Sequence, residues 1–334
     1  MADVAVIGAG LTGLAAAWQI QQSGHEVTVY EASSQVGGNI RSVRKGDYLV
    51  EEGPNTIQLA NAENEAWLKS VGMGSTMLDA NPDAAKRYLV RHGRPIAVPG
   101  SPVGFLRTPL FSWKAKIRLV GELFARKAPK GTDESLATFV RRRLGQEMLD
   151  YAINPFVGGV YAGDPVQLSV RYGFPKLYNL EQNHRSLILG ALALKRQRKR
   201  DGTAYKVRLV SFPDGLQALP DQLAANLRRP VRLSTSVSSL HRTDRWEVEI
   251  EGPSAQPTER FDAVVVALPA TSLAQLTING TRPLEKLEAI EHPPMISYAM
   301  GFAREQVEHP LDGFGALVPA REDFHILGSL FSSS

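Results

Sequence analysis

The chain has 334 residues, 43% of them apolar and 22% charged, with a net charge of +4. It is too long for one ordinary core and too apolar for a disordered chain, so more than one packed domain is expected. The charge lacks the strong one-sided excess of a nucleic-acid binder, and the absence of cysteine excludes disulfides, thiolate metal sites and cysteine nucleophiles.

The seven histidines are scattered, with no two at helical ligand spacing, so no metal site is expected. Met1-Ala2-Asp3 carries none of the positive charge that opens a signal peptide, and no run of 18 apolar residues occurs. A cytoplasmic location is the expectation.

In chain order, Val4 to Ile7 is a short apolar run ending at Gly8, which predicts a buried parallel strand. Leu11 to about Ser23 has helical spacing, with Gly24 as its stop, and Val27 to Tyr30 is the next strand. This is a βαβ opening of about 30 residues. From Arg87 to about Arg200 the pattern turns helical and basic, with long helices predicted over Trp113–Arg126 and Glu134–Tyr151. After Lys206 strand signals return. Pro213-Asp214-Gly215 predicts a turn and Leu216–Leu227 a helix. Strands are predicted at Val231–Leu233, Val237–His241, Trp246–Ile250 and Phe261–Leu268, then at Ile296–Phe302 and His325–Phe331 in a mixed sheet.

Gly8-Ala9-Gly10-Leu11-Thr12-Gly13 is a G-x-G-x-x-G placed between a strand and a helix. Gly8 permits the tight turn, Gly10 lets a pyrophosphate approach the backbone, and Gly13 lets helix and strand pack closely. The helix N-terminus offers free N–H groups and the positive end of its dipole to phosphates. Glu31 ends the second strand, 18 residues after Gly13, where a carboxylate can accept ribose hydroxyls and repel a 2′-phosphate. FAD or NAD fits, and NADP does not. Gly37-Gly38 would allow a second close backbone approach, although an ordinary loop reads equally well.

The stretch Glu31-Ala32-Ser33…Gly37-Gly38-Asn39-Ile40-Arg41-Ser42, with Glu52-Gly53-Pro54-Asn55-Thr56, resembles the flavin-binding half of protoporphyrinogen oxidases, within the wider amine oxidase and phytoene desaturase superfamily. Pro155 to Pro165, Gln167 to Val170, Arg185 to Gly190 and Gly313 to Pro319 resemble further motifs of that family, in order along essentially the whole chain. The resemblance implies an α/β protein, α+β overall. A Rossmann-like FAD-binding domain (1–85 with 206–270) would carry an inserted, mostly helical domain (86–205) and the start of a mixed-sheet substrate domain (271–334). The family continues for over a hundred residues more, so this chain is expected to be a fragment that binds FAD weakly, turns over little and is poorly soluble alone.

Residue by residue, the resemblance places Gly8, Ala9, Gly10, Leu11, Thr12 and Gly13 on the pyrophosphate, and Glu31 and Ala32 on the adenosine ribose. It places Gly38 and Asn39 beside the cofactor, Gly53, Pro54, Asn55 and Thr56 along the flavin, and Val237 against the adenine through its backbone. Arg87 matches the arginine that pairs with a tetrapyrrole propionate, a role suited to a planar guanidinium. A lone arginine there would otherwise read as a solvated side chain. Lys195 to Arg200 reads equally as a solvated helix end or as a basic edge on anionic lipid.

The implied reaction is oxidation of a porphyrinogen, protoporphyrinogen IX or coproporphyrinogen III, in heme biosynthesis. Hydride leaves a bridging carbon for the flavin while a pyrrole N–H loses its proton, and oxygen reoxidises the flavin to give peroxide. No catalytic base is assigned. The expected partners are the porphyrinogen and oxygen, with peripheral contact at the inner face of the cell membrane and a homodimer both compatible. Other superfamily activities, on amines or carotenoids, and a scaffold that keeps the fold without turnover are the alternatives.

Overall fold

The computed structural model describes residues 1–200, 205–252 and 258–333, of residues 198 and 199 the backbone alone. The chain divides into two compact units, Met1–Ala80 with Tyr205–Ala299 and Asn81–Ala204 with Met300–Ser334. The segment 271–334, expected as one module, is therefore shared between them.

In the first unit, strands Asp3–Ile7, Glu26–Tyr30 and Ala263–Val266 form a parallel sheet with Asp3–Ile7 in the centre. Val6 pairs with Val29 on one side and Val265 on the other. Alternation along the strands splits the apolar residues between two layers. Val6, Val27 and Val29 pack with Leu14 of the helix Leu11–Gln22 and with Leu219 and Leu223 of the helix Ala218–Ala225. Ala5, Ile7 and Tyr30 face the other way, onto Leu240, Val248 and Phe261. Those belong to the sheet Ser236–Arg242, Trp246–Glu251 and Thr258–Phe261, joined at its edge by Thr277–Ile278. The central strand is thus covered on both faces, as its unbroken apolar run requires.

Several elements differ from expectation. The helix over Leu216–Leu227 begins only at Ala218. The Leu216 and Gln217 N–H groups instead donate to Glu51 (2.8 Å) and Ser42 (3.0 Å), which belong to a hairpin made by Ser42–Lys45 and Tyr48–Glu51. Val231–Leu233 is no strand. Arg232 makes one isolated bridge to Tyr30. The Phe261–Leu268 run splits, with Phe261 closing one strand and Ala263–Val266 forming the next. Ile296–Phe302 is also not a strand. Large apolar side chains fall at every second position there, but no neighbouring strand among the described residues accepts its ladder hydrogen bonds, and Tyr298 is 82% exposed.

In the second unit, a four-stranded sheet runs in the order Gly328–Leu330, Gly313–Leu317, Lys86–Arg91, Arg94–Ala97, with Gly313–Leu317 parallel to Lys86–Arg91 and the outer pairs antiparallel. The strand expected over His325–Phe331 is confined to Gly328–Leu330. The helical part packs around Leu136, Phe139, Val140, Leu149 and Val157. The helix expected over Trp113–Arg126 stops at Val120 and tightens into a 3₁₀ turn, Gly121–Phe124, as Glu122 turns inward. The one expected over Glu134–Tyr151 breaks after Arg143, because Gly145 adopts φ +95°, and resumes as a short turn followed by a π-helix at Leu149–Ile153.

Glu122 and Arg143 form an ion pair whose side chains are wholly buried. Glu122 also accepts the Ser186 hydroxyl (2.6 Å) and the Leu187 N–H (2.9 Å), so it caps the helix Leu187–Arg200 from across the unit. Burial pushes the Glu122 carboxyl up, but these hydrogen bonds and Arg143 together hold it below the ordinary glutamate value. Among the described residues, no helix is long and apolar enough to cross a membrane.

Candidate cofactor and substrate sites

The glycine loop of the first unit shows which glycines serve the fold and which leaves room for a ligand. A Cβ on Gly13 would lie 1.9 Å from the Gly8 carbonyl oxygen, and one on Gly8, at φ +99°, would meet the Ala267 carbonyl oxygen at 2.7 Å. Both are demanded by protein packing. Gly10 is different. Its φ of −67° and ψ of 171° suit any residue, and a Cβ there would meet nothing within 4 Å. Its backbone faces open space at the start of the helix Leu11–Gln22. That helix has no side-chain cap and no acidic residue in its first turn, so its leading N–H groups are presented to an anion.

Glu31 follows the second strand and turns back onto this loop. Its Oε2 accepts the Ala9 N–H at 2.7 Å and its Oε1 accepts the Ser33 N–H at 2.9 Å, with the Ser33 hydroxyl also donating. The backbone behind it is fixed by the segment 232–235, since the Glu31 N–H donates to the Arg232 carbonyl and the Thr235 N–H donates to the Glu31 carbonyl. Val237 lies two residues further on, in the strand Ser236–Arg242, where the register shifts. Ala32 is exposed beside Glu31.

Gly37 donates its N–H to the Ala9 carbonyl oxygen at 2.9 Å, and a Cβ on Gly38 would sit 3.3 Å from the Gly10 Cα. The glycine pair therefore lies against the loop. A Cβ on Gly53 would clash with the Asn39 carbonyl oxygen at 1.9 Å, which brings Gly53, Pro54, Asn55 and Thr56 beside Asn39. Leu11 and Thr12 stand in the first helical turn. The open approach at Gly10, the uncapped helix start and the inward Glu31 carboxylate fit a dinucleotide, with phosphates on the loop and a ribose diol on Glu31. The contacts that Ser42, Glu51 and the 232–235 segment make behind this arrangement carry no sign in the sequence. Glu51 and Leu216 meet across 165 residues, and nothing in their spacing announces it.

Arg87 belongs to the second unit, in the strand Lys86–Arg91. Its two neighbours on that strand both bind Asp312. The Lys86 ammonium pairs with one carboxylate oxygen and the Tyr88 hydroxyl donates to the other. Hydrogen bonds from Lys86 and then from Tyr88 hold the Asp312 carboxyl below the usual carboxylate range. Alternation along the strand turns Arg87 to the opposite face. There it is exposed, has no carboxylate partner among the described residues, and places its guanidinium carbon 6.0 Å from the centroid of the Phe314 ring. Asp312 thus neutralises one of two adjacent cations and leaves the other available. Arg91, further along, is spent on Glu147 and on the face of Tyr151.

The Pro155–Pro165 motif has a packing role in this unit. A Cβ on Gly159 would run into the Leu317 side chain at 2.4 Å, so the helix Asn154–Tyr161 approaches the sheet through a glycine.

A Rossmann-type βαβ unit with this cradle and acidic turn defines a dinucleotide-binding protein. The family model for flavin containing amine oxidoreductases matches residues 11–334, and the chain belongs to that family. It is 35% identical to "Protoporphyrinogen oxidase 2, chloroplastic/mitochondrial" of Arabidopsis thaliana, over 99% of this chain and 71% of that protein. It is 30% identical to "Coproporphyrinogen III oxidase" of Bacillus subtilis, over 97% of this chain and 71% of that one. In fold it is similar to a solved protein of Exiguobacterium, with a TM-score of 0.73, 22% identity, and coverage of 98% of this chain and 72% of the other.

Proposed function

We propose that the protein oxidises a porphyrinogen, protoporphyrinogen IX or coproporphyrinogen III, in heme biosynthesis with oxygen as acceptor. The observation that carries the reading is Arg87. It is an exposed guanidinium without a carboxylate partner among the described residues, next to a lysine already neutralised by Asp312. The relatives at 30–35% identity, a protoporphyrinogen oxidase and a coproporphyrinogen III oxidase, support a substrate of this class, which carries propionates. Arg87 binds one propionate by two parallel hydrogen bonds and so sets the orientation of the ring as well as its affinity.

On the cofactor side, Gly8 to Gly13 hold the pyrophosphate, Glu31 and Ala32 the ribose, and Val237 the adenine. Gly38 and Asn39 touch the cofactor beside the loop, and Gly53 to Thr56 lie along the flavin. Bound FAD supplies the two-electron acceptor for a C–H bond, and the protein supplies placement and electrostatics. Purified protein should show a flavin absorbance spectrum and release peroxide with one or both porphyrinogens. Turnover of amines with no response to either porphyrinogen would refute the reading.

The second unit also favours peripheral contact with an anionic membrane, at the inner face of the cell membrane. Trp113, Ile117, Val120 and Phe124 recur along the helix Trp113–Val120 and the turn after it, and are 67%, 70%, 59% and 83% exposed. Exposed apolar side chains at this spacing, with Lys114 and Lys195 also exposed, have the character of an interfacial surface. Pairing of two copies is read from sedimentation of the protein.

A further inference from the structure

The strand that carries Phe314 is irregular in a way that bears on Arg87. Gly313 pairs with Lys86 and Gly315 with Arg87, so the register slips by one residue and Phe314 is the extra residue of a β-bulge. Bulges re-aim a side chain and are found beside active sites. Here the bulge is built from two glycines that nothing else could replace. A Cβ on Gly313 would meet the Tyr88 ring at 2.6 Å and the Lys86 carbonyl oxygen at 2.8 Å. One on Gly315, at φ +155°, would meet the Ser329 carbonyl oxygen at 2.4 Å. Just upstream, Asp312 is pinned to Lys86 and Tyr88, which fixes where the bulge begins. The extra residue is the one whose ring stands 6.0 Å from the guanidinium carbon of Arg87.

We infer that Phe314 is a positioning residue for carboxylate recognition: the bulge turns its ring toward the Arg87 guanidinium, which lies over the ring within cation–π reach and keeps its donor edge turned out to a substrate carboxylate. This rests on the reading of Arg87 given above. The physical basis is the attraction of a guanidinium to an aromatic face, together with the rotamer freedom that a long exposed side chain would otherwise have to lose on binding. A leucine at 314 would fill much of the same space without the ring face. A tyrosine would keep it.

The test uses protoporphyrin IX, with two free carboxylates, and its dimethyl ester, with none, in fluorescence titrations of the wild-type chain, Phe314→Leu, Phe314→Tyr and Arg87→Ala. Phe314→Leu should raise the Kd of the diacid by about two- to fivefold and leave that of the ester unchanged, with Phe314→Tyr close to wild type. Equal loss for both ligands would make Phe314 a mere apolar wall and overturn the inference, as would no loss for either. The two levels separate cleanly. If Arg87→Ala abolishes the preference for the diacid and Phe314→Leu does not touch it, the inference alone falls. If Arg87→Ala changes nothing, the reading of Arg87 falls and the inference with it.

Discussion

The Glu31 carboxylate accepts the N–H of Ala9 at 2.7 Å, tying the end of the second strand to the glycine loop at the end of the first. The residue expected to hold a ribose therefore also braces the loop expected to hold the phosphates. Glu31→Gln keeps the size and loses the charge, and its amide can still accept one of these N–H groups. Charge-assisted hydrogen bonds contribute about 1.5–3 kcal/mol, so FAD affinity, measured by calorimetry, should fall by about one to two powers of ten. An unchanged Kd would remove Glu31 from the site.

Gly10 and Gly13 should respond oppositely to the same substitution. A valine at 10 has open space around its Cβ and an ordinary backbone conformation, so the melting temperature of the flavin-free protein should barely move while flavin binding is lost. A valine at 13 would meet the Gly8 carbonyl, and the protein itself should unfold more easily or fail to accumulate. Normal flavin content in Gly10→Val would show that no phosphate lies there.

The buried Glu122–Arg143 pair should be costly to break and sensitive to acid. Removing one partner leaves the other charge stranded, so Glu122→Ala should destabilise the protein by about 3–5 kcal/mol in urea unfolding. Because the folded carboxyl sits below its ordinary value, its contribution is present above the unfolded glutamate value of about 4.3 and is lost as the pH falls through the lower, folded one. The wild type should accordingly lose stability on acidification faster than Glu122→Gln. Parallel pH profiles for the two would show that Glu122 does not titrate this way.

Membrane contact is checked by sedimentation with vesicles. The wild type should co-sediment with anionic vesicles more than with neutral ones, and the doubly substituted Trp113→Ser, Phe124→Ser protein should bind neither. Equal binding by the wild type and the double variant would detach this surface from the membrane.

The sequence by itself determined the opening βαβ unit, its glycine loop, the acidic end of its second strand and the family. Each depends on residues close together in the chain: an apolar run short enough for a strand, glycines at fixed offsets, and a carboxylate one strand later. Tertiary structure decided the rest. The helix expected from Leu216 begins at Ala218, and the N–H groups just ahead of it are taken by Glu51 and Ser42, partners far away in the chain that no local spacing announces. The helices expected over 113–126 and 134–151 both break, the first where Glu122 turns inward to Arg143 and the second at Gly145. Ile296–Phe302 has a strand's alternation and no strand, since a strand exists only through a neighbour that takes its hydrogen bonds. For Arg87, sequence supplied a resemblance and no reason. The reason came from a residue 225 positions away. Asp312 occupies Lys86 and Tyr88 and leaves the arginine between them without an ion-pair partner among the described residues, a selection that only the pairing of two distant strands can make.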